Sequence, residues 1–262
     1  MHEIFSQLRP LLIAITLSTP RLLVIFWITP FFKTVTMNSA IRNCLVMVFS
    51  LIVLPTMLSF VRDSALSLGI IFTLVVKEAI IGTLIGYLVS LFFQAIEAVG
   101  FLIDFQRGAS FASVIDPATG QSSSILGSFL VQATIVLFFC SGGFLLFLSG
   151  VYESYRVWPI ATYWPSFDPE FGRFFLARVD EMMTLAFLLA SPILIVFFFS
   201  DLGLGLINRF APQLNVFFLS MPVKSALSTM IMIIYLPFLL FFIKNNFIQR
   251  ADVFALLRQV VH

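Results

Sequence analysis

The sequence predicts an all-α fold of polytopic hydrophobic helices, kinked and folded into hairpins, and three observations predict it. Hydrophobic residues make up 60% of the 262-residue chain and charged residues only 11%, whereas a soluble domain is roughly half apolar and about a quarter charged. Apolar stretches of about 20 residues, the length that crosses a bilayer core as a helix, recur along the whole sequence. Prolines, glycines and single charges interrupt those stretches, which suits helices packed against other protein better than rods in lipid. Mean hydropathy is +1.06 and the formal net charge only +2. No basic patch is available to grip nucleic acid, and a water-covered surface needs more charge than this. The chain, 1–262, is expected to be a single membrane-associated domain whose solvent is lipid or apolar protein.

Six stretches carry the pattern, at 10–32, 41–60, 65–93, 125–151, 182–207 and 214–243. The first holds Pro20, Arg21 and Pro30. Glu3 precedes it and no small-residue cleavage site follows, so it is expected to be permanent structure and not a removed leader. The second contains Pro55. The third contains Lys77 and Glu78, neighbours that point about 100° apart on a helix; each is expected to find its partner on another helix or another chain. Gly82 and Gly86 in the same stretch have the G-x-x-x-G spacing that lets a second helix approach closely. Gly142-Gly143 predicts a bend in the fourth. A ring-rich loop follows, with Tyr152, Tyr155, Trp158, Tyr163 and Trp164, of the kind found at an apolar–water boundary. The fifth contains Pro192, with Asp201 expected to cap a helix end near Gly203 and Gly205. The sixth contains Lys224 and Pro237. Beyond it, 244–262 is an amphipathic tail with Phe247, Ala251, Phe254, Leu257 and Val261 at helical spacing, suited to a membrane surface or a partner.

If each stretch crosses once, a cytoplasmic C-terminus places Arg9, Arg62, Arg156, Arg173, Arg178, Lys244, Arg250 and Arg258 inside, against Lys33, Arg42, Arg107 and Arg209 outside. That asymmetry follows the positive-inside rule.

Catalytic templates fail. There is no G-x-S-x-G, H-E-x-x-H or P-loop, and the only histidines, His2 and His262, stand at the two ends, so neither a Ser–His pair nor a common zinc site is available. Cys44 and Cys140 lack a pairing pattern and are expected to be small buried hydrophobes. No local motif supports Asp104 and Asp201 as a membrane aspartyl dyad. The expectation is a non-enzyme without cofactor or metal.

Two loops carry more information. The first runs from Asp104 through Gln106, Arg107, Gly108, Ser110, Phe111, Val114, Ile115, Asp116 and Pro117 to Gln121 and Ser124. It is dominated by Gly, Ala and Ser, and between Arg107 and Asp116 it has no charge. Small residues allow tight packing and movement, and a few apolar side chains can close a pore by expelling water. Arg107 and Asp116-Pro117 would then fix the ends of a mobile plug over 108–120, with Phe111, Val114 and Ile115 as its stopper. Equally, Asp116-Pro117 and Thr119-Gly120 are ordinary turn chemistry for an interhelical connection. The second loop, Asn208-Arg-Phe-Ala-Pro-Gln-Leu-Asn-Val-Phe217, offers Arg209, Gln213 and Asn215 to satisfy backbone groups around Pro212. Glu78, Arg107 and Arg209 are expected to hold helix ends and loops by charged hydrogen bonds, with Lys77 and Lys224 as further polar contacts of the assembled state.

The run D-F-Q-R-G-A-S-F-A-S-V-I-D-P-A-T-G-Q-S-S-S from Asp104, R-F-A-P-Q-L-N-V-F from Arg209 with M-P-V-K at 221–224, and K-E-A-I-I-G-T-L-I-G from Lys77 together resemble the FliR/SctT family of type III secretion export-apparatus proteins. The resemblance covers essentially the whole chain and leans to the injectisome (SpaR/YscT-like) branch over the flagellar one. It implies one copy in a closed helical gate with several FliP/SctR-type and FliQ/SctS-type subunits, in the bacterial inner membrane. A FlhB/SctU-type switch protein would bind that gate from outside, and unfolded secreted polypeptides would pass through it. It also implies that 106–121 is the plug inside the pore, which favours gating over the turn. The competing class, a small-solute transporter or ion-channel subunit, usually shows repeated halves around a polar midplane site; the two halves of this sequence show no such symmetry.

Overall fold

Every regular element among the described residues is helical. The computed structural model describes residues 2–33, 37–63, 67–109, 124–162, 170–213 and 215–250. In chain order the elements are α1 (His2–Ile28), a 3-10 turn (Pro30–Phe32), α2 (Ser39–Ser50), α3 (Leu54–Asp63), α4 (Leu68–Gln106), α5 (Ile125–Cys140), α6 (Gly143–Val157), α7 (Glu170–Phe210) and α8 (Val216–Arg250). The six apolar stretches are all present as helix, but not all as rods. Four helices, α1, α4, α7 and α8, are long and apolar enough to cross a membrane, and there are six such crossings if each bent pair counts as one.

The bent pairs are α2–α3 and α5–α6. The first turns by 62°, where three non-helical residues separate Ser50 from Leu54 and Pro55 restarts the helix at its second position, a place where the missing N–H costs nothing. The second breaks at Ser141–Gly142, with Gly142 at φ +77°, a conformation that glycine adopts without strain. The sequence places this bend correctly at the glycine pair. Prolines are a poorer guide: Pro10, Pro20, Pro192, Pro222 and Pro237 all lie inside helices that continue past them. Asp201 also lies within α7, which runs on through Gly203 and Gly205 to Phe210, so it caps no helix end.

Two compact units share the chain, one formed by Met1–Leu91 with Phe144–Leu176 and the other by Phe92–Gly143 with Ala177–Arg250. Helices α4 and α7 contribute to both. In the first unit the core is built from Ala14 and Leu17 of α1, Met57 and Val61 of α3, Leu74 of α4 and Ile160. Here the G-x-x-x-G face of α4 meets α1: a Cβ on Gly82 would lie 2.7 Å from the Arg21 carbonyl oxygen, and one on Gly86 would lie 3.2 Å from Ile28 Cβ. In the second unit Ile96, Val99 and Ile103 of α4 pack with Leu130, Ile193, Phe197, Leu239 and Ile243. A second glycine crossing joins α4 to α5, where a Cβ on Gly127 would come within 2.9 Å of the Glu97 carbonyl oxygen.

The outward surface is apolar. Phe198, Phe199, Leu202 and Leu206 on α7 and Ile233, Ile234, Phe238 and Phe241 on α8 are all at least half exposed. Cys44 and Cys140 are free but exposed; the expectation that they are buried fails because, among the described residues, nothing covers the helix faces that carry them. The tail expected at 244–262 begins as the last turns of α8, and 251–262 lie outside the described residues.

Candidate functional site

Arginine buried in an apolar fold needs a partner for each of its three nitrogens, because unpaired polar groups there cost several kcal/mol. Arg21, with its side chain 0% exposed, meets this demand inside the first unit. Its Nε donates to Glu78 Oε2 at 2.7 Å, Nη1 to Ser154 Oγ at 2.9 Å and Nη2 to the Trp158 carbonyl at 3.0 Å. The guanidinium also lies 3.9 Å from the centroid of the Tyr155 ring. Lys77 beside it donates to three carbonyls of the turn after α6, Pro159 at 3.1 Å, Ile160 at 3.1 Å and Thr162 at 3.0 Å. Those carbonyls lie in the turn beyond Val157, the last residue of α6, and an ammonium with three donors matches them.

Lys77 and Glu78 do pair with each other, against expectation, with Lys77 Nζ 3.1 Å from Glu78 Oε1. The flexible lysine stem bends round the helix, so backbone angle alone does not decide the contact. All three lysine donors go to carbonyls, so Oε1 takes the charge of Lys77 without a hydrogen bond. Trp158 is buried and Tyr155 lies under Arg21, so these rings pack within the unit, while Tyr163 and Trp164 lie outside the described residues.

The second unit holds the base of the first informative loop. Helix α4 ends at Gln106, with Ala109 N donating to the Asp104 carbonyl at 3.0 Å and Gly108 N to that of Phe105 at 3.1 Å. Gly108 has φ +83°, so the helix closes in a Schellman motif that needs glycine at this position. The Asp104 side chain then ties together the two ends of the loop. On the near side Arg107 Nη2 lies 2.6 Å from Oδ1. On the far side Oδ2 accepts from Ser124 Oγ at 2.7 Å and from Leu126 N at 3.0 Å. Ser124 is also the N-cap of α5, accepting from Gly127 N at 2.7 Å, and a carboxylate at that helix N-terminus is favoured by its dipole.

Lys224 of α8 completes the base. Its Nζ donates to Asp201 Oδ2 at 2.8 Å, lies 2.7 Å from Asp201 Oδ1, and donates to the Gln106 carbonyl at 3.3 Å. Met221, one turn earlier, sits beneath Gly108, its Cγ 3.2 Å from where a Cβ would be. Asp104 and Asp201 are thus each neutralised by a cation, the opposite of what a proton-sharing dyad requires.

Residues 12–249 match the family model described as "Bacterial export proteins, family 1". The chain belongs to that family. This export protein is similar to the "Yop proteins translocation protein T" of Yersinia pestis, 38% identical over 87% of each chain. It is also similar to the "Surface presentation of antigens protein SpaR" of Salmonella typhimurium, 33% identical over 89% of this chain and 87% of the relative. The "Flagellar biosynthetic protein FliR" of Bacillus subtilis is 33% identical over 65% of this chain and 66% of its own. Its apolar helices and its family make this export protein a multi-pass protein of the bacterial inner membrane, within the base of a secretion apparatus.

Of the residues singled out in its sequence, Lys77 and Glu78 come together in the first unit, and Gln106, Arg107, Gly108 and Lys224 in the second. Ser110, Phe111, Val114, Ile115, Asp116 and Pro117 lie outside the described residues. Arg209 stands exposed in the last turn of α7, and Pro212, Gln213 and Asn215 are exposed in the connection to α8. Among the described residues, the side chains of Arg209, Gln213 and Asn215 hold no backbone group, and Ala211 N donates to the Ile207 carbonyl at 2.9 Å. Four contributors escaped the sequence reading: Arg21 as the hub of a cluster, Asp104 and Ser124 as a clamp, and Met221 under the turn. The D-x-x-R spacing of Asp104 and Arg107 on one helix face was the one usable signal.

Proposed function

We propose that this export protein is a subunit of a type III secretion export gate of the injectisome class, forming part of the pore and, with the loop between α4 and α5, its plug. The single observation that carries the reading is the clamp: one carboxylate, Asp104, fastens both ends of a glycine-, alanine- and serine-rich segment. A stopper that yields to a passing polypeptide needs a firm root, and the clamp supplies one at both ends. Phe111, Val114 and Ile115 are its apolar stopper, blocking ions by making hydration of the closed pore unfavourable. The subunit works without catalysis. FliP/SctR-type and FliQ/SctS-type subunits cover its apolar faces, a FlhB/SctU-type switch protein binds the gate from outside, and unfolded secreted chains pass through. The injectisome class is supported by the long match to the translocation relative, against a shorter match to the flagellar one.

Deleting residues 110–115 tests the plug. The expected result is a complex of normal yield on a native gel, a membrane that leaks small ions, and secretion reduced less than the seal. An assembled deletion variant with no added leak would make the loop a structural turn.

A further inference from the structure

We propose that the cleft between the bent α2–α3 pair and α6 is a phospholipid site: its floor takes an acyl chain, and Arg156 at its mouth takes the phosphate of a net-negative lipid of the phosphatidylglycerol class.

The cleft lies within the first unit and encloses about 530 Å³, inside the range of sites for small ligands. Val53 and Met57 of the bent pair and Ile160 of the turn after α6 form a buried apolar floor, while Ile52, Thr56 and Arg156 stand exposed at the rim. Two contacts fix its walls. Phe49 carries one of the last four carbonyls of α2, which lack intrahelical donors, and the Tyr152 hydroxyl, lining the cleft from α6, donates to it at 3.1 Å. The turn that supplies Pro159 and Ile160 is held by Lys77, whose ammonium donates to both their carbonyls at 3.1 Å. A cleft formed before its ligand arrives loses little conformational freedom on binding.

Charge selects the headgroup. Arg156 alone among the lining residues is charged. Its side chain is 82% exposed and its described ion pair, to Glu153, is long at 3.4 Å. The guanidinium therefore keeps donors for a phosphate, which it can hold by two parallel N–H bonds. Tyr155, also in the lining, carries Arg21 3.9 Å from its ring centroid, so the buried cluster of Arg21, Lys77 and Glu78 adjoins the cleft. Arg21, Lys77 and Arg156 against Glu78 and Glu153 make three positive charges to two negative, an excess that a net-negative lipid neutralises. A partner's apolar side chain would fill the floor and leave Arg156 without an anion. An acyl chain is as much at home in the bilayer as in the cleft, so the floor admits lipids without choosing among them. The choice falls to the rim: a zwitterionic headgroup brings a cation of its own to its phosphate, and phosphatidylglycerol brings none.

The test uses the full export complex with a photo-crosslinking residue at the rim, Ile52→benzoylphenylalanine, in vesicles of equal phosphatidylglycerol and phosphatidylethanolamine. Lipid adducts on the peptide holding residue 52 are read by mass spectrometry. Phosphatidylglycerol adducts should exceed the others about fivefold, the ratio that about 1 kcal/mol for one basic side chain at an anionic surface produces. Arg156→Ala in that background should bring the two lipids level, Arg156→Lys should keep most of the preference, and Thr56→Phe, which narrows the mouth, should lower both adducts. Equal adducts in the complex that retains Arg156, or a preference that survives Arg156→Ala, overturns the site. So does a cross-link to another protein chain in place of lipid, which would make the cleft a protein-docking surface. Undiminished adducts in Thr56→Phe would place the lipid outside the cleft and overturn it as well. Should Arg156→Ala fail to assemble, the ratio is read in the complex that retains Arg156 between about 0.05 M and about 1 M salt, where screening weakens an exposed charge. It should fall towards one, and a ratio that salt does not move overturns the site.

Discussion

Ser124 Oγ donates to Asp104 Oδ2 at 2.7 Å, joining the start of α5 to the end of α4 across a loop in which neither side chain lies. The same serine oxygen accepts from Gly127 N at 2.7 Å, so loop closure and helix capping depend on one hydroxyl. Ser124→Ala should cost about 0.5–2 kcal/mol, as other N-cap losses do. Asp104→Leu should cost more, because it also strands Arg107. Thermal denaturation of the purified complex, with ion leak read in parallel, checks the order. Equal effects of the two variants would separate the cap from the clamp.

Glu78 is fully buried between two cations, Arg21 and Lys77, so Glu78→Met leaves both without a carboxylate, and stranding buried charge in this way costs ~3–5 kcal/mol. Glu78→Met should therefore lower complex yield sharply, and Arg21→Met less, because Glu78 then keeps Lys77 as its partner. Adding Arg21→Met to Glu78→Met should recover part of the loss, because it removes one of the two stranded cations. A double variant worse than Glu78→Met alone would show that the cluster does more than neutralise itself.

Lys77→Met removes a donor shared by three carbonyls, at 159, 160 and 162, of which Pro159 keeps Thr162 Oγ1 at 2.7 Å. The expected outcome is loosening of the turn after α6, seen as faster proteolysis near residues 158–162 in the assembled complex. An unchanged cleavage pattern would show that the turn is held from elsewhere.

Gly82→Ala places a Cβ 2.7 Å from the Arg21 carbonyl oxygen, so α1 and α4 must move apart and the Arg21 cluster with them. Complex yield should fall. Gly172→Ala is the control, since nothing lies within 4 Å of a Cβ there, and alanine gains about 1 kcal/mol over glycine in a helix. Similar yields from the two variants would contradict the close helix crossing.

The apolar exposure of α7 and α8 predicts an obligate subunit. Expressed alone, the chain should aggregate or be degraded, and co-expression with the other gate subunits should rescue it. Arg209, exposed with no described partner, is the position where alanine should reduce assembly while leaving the chain's own fold intact. A monodisperse, protease-resistant monomer would count against both statements.

Composition and apolar length alone determined that this chain is helical and membrane-bound, because 60% hydrophobic residues with 11% charge leave no other solvent open to it. Its six stretches, the break at Gly142 and the close approach at Gly82 and Gly86 were legible for the same reason: spacing and glycine act locally. What only the tertiary structure decided is which charge meets which. Lys77 reaches back to its own neighbour as well as to a turn more than 80 residues away, Arg21 gathers Glu78, Ser154 and Trp158, and Asp104 finds Ser124. Pairing of this kind depends on where helices cross, and long side chains can satisfy a buried charge from several directions. Neither is encoded in a local window of residues. The prolines mislead for a related reason: whether a helix breaks at one depends on whether its surroundings hold the helix straight.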